Sequence, residues 1–137
     1  MATACRIYVD ESPLKYIDVF HDGYPSFSGR ILLSHYSTKE DLNRLMNLGD
    51  LAYLDKDTSA PEGHSFNSPV KGHCVAYGRD RYFCTYGPKF SDSISLIREH
   101  TYIFHNDKWF YIEDTEHMME LTEDFILSMQ ESSPMAC

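Results

Sequence analysis

Basic charge is scarce in this sequence, close cysteine pairs are missing, and so is any long apolar run. Lysine and arginine together number 12 against 21 acidic residues, for a formal charge of −9. Direct binding to a nucleic-acid backbone is therefore excluded as an expectation, because phosphate contact depends on clustered Lys and Arg. An acidic surface instead favours basic protein surfaces. The four cysteines, Cys5, Cys74, Cys84 and Cys137, form no CxxC element and no dense framework, and Cys137 reads as a free thiol. That usage suits a reducing cytosol rather than a disulfide scaffold. The opening MATACRIYVD lacks an apolar signal-like core, and no stretch reaches the length of a membrane span. Catalytic signatures are lacking as well: there is no GxSxG elbow, no HExxH, no P-loop and no paired-carboxylate pattern.

What is present is apolar and aromatic enough to fold. Hydrophobic residues make up 42% and aromatics 14% of 137 residues, which places the chain among single globular domains. The pattern predicts one α+β domain over 1–137, an antiparallel sheet packed with two or three helices. CRIYVDESPLKYIDVF reads as two strands that alternate apolar and polar residues around a break at Pro13, which cannot donate to a ladder. Arg30 to Tyr36 reads as a helical turn or two. Thr38 is placed as an N-cap with Asp41 at N3, and Leu42, Leu45 and Met46 follow at helical spacing up to Gly49.

Residues 55–72, DKDTSAPEGHSFNSPVKG, have two prolines, two glycines and no period, and are read as a long loop. HCVAYGRDRYFCTYG then looks strand-like on both sides of Gly78. In HTYIFHNDKWFYIED, a two-residue turn at Asn106-Asp107 pairs His105 with Lys108, Phe104 with Trp109 and Tyr102 with Tyr111. Both faces of that hairpin are apolar, so one calls for helices and the other for a loop or a partner. Met118, Leu121, Thr122, Phe125, Ile126 and Met129 form a last helical stripe, ahead of a frayed tail at 131–137.

The richest short stretch is HDGYPSFSGR at 21–30. Gly23 can supply positive φ, Tyr24-Pro25 has an accessible cis form, and Gly29 precedes a helical run. The bland reading is a strand-to-helix corner in which Asp22 caps backbone N–H groups. The sharper one has His21, Asp22, Tyr24 and Arg30 lining a ligand or partner site. In RDR, a strand would put Arg79 and Arg81 on one face, suited to a carboxylate, a phosphate or an internal partner such as Asp22. His64 in the long loop completes the candidate set. His73, Cys74 and Cys84 are the close His/Cys group, and their spacing fits no familiar zinc pattern, so neither metal nor cofactor is expected.

Taken in order, DGYP at 22–25, Gly29, Leu32-Leu33, LMNLGDLAYL at 45–54, HSF at 64–66 and VAYGRDR at 75–81 resemble a family of small phage and prophage accessory proteins. The chain departs from that pattern at Ser26-Phe27-Ser28 and at Tyr82-Phe83, where the pattern continues with Gly-Glu. The family carries no established activity, so the resemblance implies a setting, the cytoplasm of a bacterial host during infection. Within it the leading expectation is a non-catalytic counter-defence or host-takeover protein that occupies a bacterial host protein, a defence effector above all. The alternative is a small-molecule binder that sequesters a nucleotide-like signal through Arg79 and Arg81. A small hydrolytic enzyme built on His21 or His64 with Asp22 stands third. Neither a membrane nor a nucleic acid is an expected partner, and a second copy of the chain is a candidate for the aromatic hairpin face.

Overall fold

The computed structural model describes residues 3–81, 87–114 and 117–131. Strands β1 (Cys5–Val9) and β2 (Leu14–His21) form the antiparallel hairpin expected around Pro13. Their alternation divides the chemistry. Cys5, Ile7, Val9, Ile17 and Val19 enter a core shared with helices, while Arg6, Tyr8, Tyr16 and Asp18 sit across the sheet on the other face. After a π-helical turn (Pro25–Gly29), α1 (Arg30–His35) and α2 (Lys39–Leu48) carry the chain back to β3 (Leu51–Tyr53). Thr38 caps α2 as expected, its hydroxyl accepting from the Asp41 N–H at 3.2 Å. Gly49 ends the helix at φ +77°, a value that L side chains rarely adopt.

The remaining elements are β4 (Val75–Ala76), α3 (Tyr77–Arg81), β5 (Lys89–Ser91), β6 (His100–His105), β7 (Lys108–Asp114), β8 (His117–Glu120) and α4 (Glu123–Glu131). They complete one sheet in the order β4-β3-β2-β1-β6-β7-β8, with β5 paired to the first half of β2 on the edge whose second half holds β3. The sheet is mixed, which corrects the antiparallel expectation: β1 runs parallel to β6 and β2 parallel to β3. Apolar periodicity marks a strand without giving its direction. Here the helical crossover after β2 returns β3 in the same sense. Four α-helices are described, one more than the upper expectation, and the added one is α3 at the RDR stretch.

The β6–β7 hairpin has the register read from the sequence, Tyr102 opposite Tyr111, Phe104 opposite Trp109 and His105 opposite Lys108. Asn106 and Asp107 turn it with positive φ at both positions. Tyr102, Phe104, Trp109 and Tyr111 join the helix-side core, where the Trp109 indole donates to the Tyr36 carbonyl at 3.0 Å. The last stripe was misread at its start, because Met118 belongs to β8 and Leu121 precedes α4. Thr122 is not a stripe residue either; its hydroxyl accepts from the Phe125 N–H at 3.1 Å, at the start of α4. Of the expected frayed tail, Glu131 closes α4 and the rest lies outside the described residues.

Among the described residues no helix contributes to the apolar cluster on the opposite face of the sheet, although Tyr77 of α3 meets Phe20 there with ring centres 5.7 Å apart. A smaller cluster of Tyr8, Ile103 and Ile112 is covered there by Leu14, Tyr16, Phe110 and by Ile94 from the segment before β6. The Ser95 N–H donates to the Tyr8 hydroxyl at 2.8 Å and ties that segment down.

Candidate functional site

Three places concentrate polar chemistry, and the first is the corner at 21–30. Asp22, not Gly23, takes the positive φ, at +57°, which an aspartate tolerates better than most side chains. Gly23 is needed for space: a Cβ there would stand 2.7 Å from the Cys5 nitrogen and 2.9 Å from the Ala4 carbonyl carbon. The Tyr102 hydroxyl donates to the Gly23 carbonyl at 2.8 Å, and its ring lies so close to Gly29 that a Cβ would approach it to 3.3 Å. Ser28 closes the turn by donating to the Asp22 carbonyl at 2.7 Å. The cis peptide of the described chain is at Ser12-Pro13, not before Pro25. Gly23, Pro25, Ser28 and Gly29 are thus architecture, held from behind by one buried tyrosine.

Of the side chains left over from that corner, Asp22 and Tyr24 meet, whereas His21 and Arg30 go elsewhere. His21 stacks on Tyr53 with ring centres 4.7 Å apart. Tyr24 is only partly covered, and that partial burial together with the neighbouring Asp22 carboxylate pushes its phenol above the ordinary range. Arg30 turns away to pair with Glu123 at 2.6 Å, joining α1 to α4. Phe27 and Tyr53 line a small apolar hollow of about 220 Å³ with Val70 and Val75.

The second place is the seam between the long loop and α3. Residues 77–81 form a helix rather than the expected strand, because Asp80 reaches back to accept from the Ala76 N–H at 2.9 Å, much as in a capping box. Arg79 then grips its neighbour, Nε to Asp80 Oδ1 at 2.7 Å, and its remaining nitrogens donate to the Thr58 and Cys74 carbonyls. The buried His64 ring is used on both sides. Nδ1 accepts from the Val70 N–H at 3.0 Å, so Nε2 carries the proton toward Asp80 at 3.2 Å. Burial would raise the Asp80 pKa, but hydrogen bonds from Arg79 and Ala76 outweigh it and hold the carboxyl below its ordinary value. Arg79 pairs with Asp80 rather than Asp22, and its donors are spent on the loop. The Arg81 side chain lies outside the described residues. The loop at 55–72 has neither helix nor strand, yet Arg79 and His64 pin it.

The third place, on the face opposite the main core, was not foreseen. At one end Asp18, fully buried, receives Arg6 through two bonds of 2.7 and 3.1 Å, Arg98 at 3.1 Å and Lys89 at 3.3 Å. Asp50 joins them, accepting from Lys89 at 3.0 Å and from the Asp18 N–H at 2.9 Å. Arg6 lies 4.2 Å over the Tyr16 ring and Arg98 lies 4.9 Å over Phe20. Burial works against the Asp18 charge, but its bonds from Arg6 and Arg98 prevail and lower its pKa.

At the other end of this face a groove of about 660 Å³ opens between the β1–β2 turn and the segment around 92–94. Leu14, Ile94, Ile103 and Met118 form its apolar lining, and Asp10, Glu11, Asp92 and His105 its polar one. Asp10 bonds to His105 and Glu11 to Lys15, whereas Asp92 is exposed beyond them. The doubly apolar β6–β7 hairpin signals a second apolar face, but nothing in the sequence brings Asp10 and Asp92 to it. Among the described residues no group of three or more His, Cys, Asp or Glu is arranged to hold a metal. Cys5 and Cys74 are free and buried, and no helix is long and apolar enough to cross a membrane.

No protein-family model, curated protein or solved structure matches the chain.

Proposed function

We propose that this chain is a non-catalytic binding protein that acts by occupying the surface of another protein. The observation that carries this reading is the groove over Ile103, which is more than twice the volume of the hollows of about 260 and 220 Å³ beside Lys39 and Phe27. Its lining joins exposed hydrocarbon at Met118 to the exposed carboxylate of Asp92, the mixture of an interface rather than of a reaction site. A further support is negative in chemistry: the buried imidazole beside a carboxylate, His64, spends both ring nitrogens on the fold and has none left to activate a nucleophile. In the setting suggested by DGYP, LGDLAYL and YGRDR, the partner is a bacterial host protein and the outcome is inhibition of a defence system.

The test is capture from bacterial lysates by the immobilised protein and by a variant carrying Asp92→Lys and Met118→Lys. A host protein retained by the first and lost by the second is the expected result. Identical recoveries from both, in several hosts, would sink the proposal.

A further inference from the structure

The groove also specifies the chemistry of what enters it. Its apolar lining includes Ile103, buried at 3% exposure, and Met118, exposed at 44%, so hydrocarbon continues from the covered core to open solvent. Carboxylates stand on two sides, Asp10 and Glu11 from the β1–β2 turn and Asp92 from the segment across it. Glu11 is partly neutralised by Lys15 at 3.2 Å and Asp10 is engaged by His105. Among the described residues Asp92 has no such cation, and the molecule carries a formal charge of −9. A partner that covers Ile103 and Met118 must bring Asp92 close to its own charges. An acidic partner would be repelled there, and a purely apolar one would desolvate the carboxylates without return.

We infer that the occupant is a basic, extended protein segment in which apolar residues alternate with lysine or arginine. Alternation matters because an extended chain directs successive side chains to opposite sides. One set covers the hydrocarbon while the other reaches the carboxylates at the edges. This inference rests on the binding function proposed above and adds the class of partner.

Fluorescence anisotropy with a short labelled peptide alternating lysine and leucine tests it. Glutamate–leucine and lysine–serine peptides serve as the other arms. The lysine–leucine peptide binds, its affinity falls as salt is raised, and both other peptides bind about tenfold more weakly or worse. Asp92→Lys weakens the lysine–leucine complex by about tenfold. Glu62→Lys, an equal charge change on the exposed long loop, leaves it unaltered. Equal weakening by Glu62→Lys would mean attraction to net charge alone and would overturn the inference. So would equal binding of the glutamate–leucine or lysine–serine peptide, or a concentration-dependent dimer of the chain that Asp92→Lys abolishes. If no peptide binds while the host protein captured above still depends on Asp92 and Met118, the basic segment falls and protein binding stands. If capture is also indifferent to those residues, both fall.

Discussion

The two faces of this sheet solve the same burial problem by opposite means. On the helix side, Ile7, Ile17, Leu32, Leu45 and Trp109 exclude water with hydrocarbon, and the polar groups there are mostly single hydroxyls aimed at backbone carbonyls. On the other side, Arg6 and Asp18 face one another directly across the β1–β2 ladder, and three cations share one buried carboxylate. Hydrocarbon stabilises without directional demands. A buried charge cluster stabilises little by itself, but it is costly to break and so enforces one arrangement of the elements that meet there. The groove of about 660 Å³ opens on the second face, whereas the hollows beside Lys39 and Phe27 are about 260 and 220 Å³. A covering of short segments held by polar bonds leaves a wider gap here than the helices leave beside Lys39.

That contrast can be broken experimentally. Asp18→Ala should have the largest effect, about 3–5 kcal/mol lost in urea unfolding, because Arg6 stays buried without its partner. A loss below about 1 kcal/mol would mean that the cluster is solvated and that the two faces do not differ in this way. Leu45→Ala, on the helix side, should cost about 2–5 kcal/mol through the cavity it leaves. Its signature differs from that of Asp18→Ala: stability falls but its pH profile keeps its shape. Tyr102→Phe should cost about 1–3 kcal/mol by leaving the Gly23 carbonyl buried and unpaired, and it should increase amide exchange across the 22–29 corner. Unchanged exchange there would refute the role given to this tyrosine.

The smallest effect separates the faces by pH. On the helix side, burial holds His100 below its ordinary pKa of 6.5, with Nδ1 2.7 Å from the Tyr111 hydroxyl. The unfolded chain therefore takes up that proton first, and stability present above about pH 6.5 declines as the pH falls below it. On the other face Asp18, like Asp80 in the loop seam, has a lowered pKa. Its contribution is full above the ordinary 3.8 and is lost only as the pH falls through that value toward the folded one. Unfolding measured from pH 8 to 3 should show two declines. His100→Gln should remove the upper one, and a profile unchanged by that substitution would count against the assignment.

Much of the local structure was legible in the residues. The hairpin at 102–111, the Thr38 cap and the Pro13 break follow from short-range chemistry, in which turn residues, a hydroxyl and a missing N–H act within a few positions. The 77–81 stretch was misread because the decisive contact, Asp80 with the Ala76 N–H, makes a helix of residues whose pattern also suits a strand. Of the seven residues singled out for function, His64 and Arg79 meet at Asp80, Asp22 and Tyr24 lie together, Arg30 is bound to Glu123, His21 stacks on Tyr53, and the Arg81 side chain lies outside the described residues. Polar density in HDGYPSFSGR came from several independent structural needs in one corner.

By itself the sequence determined which residues alternate in β1, β2 and the β6–β7 hairpin, where α2 begins, and that one face of β1 and β2 would be apolar. Only the tertiary structure decided the direction of β3 and β6, the gathering of Arg6, Asp18, Asp50, Lys89 and Arg98, and the meeting of Asp10 with Asp92 across a groove. The physical reason is range. Turn and cap chemistry acts over a few bonds of chain, whereas the charges of the second face come from segments about 80 residues apart and meet only once the sheet has closed.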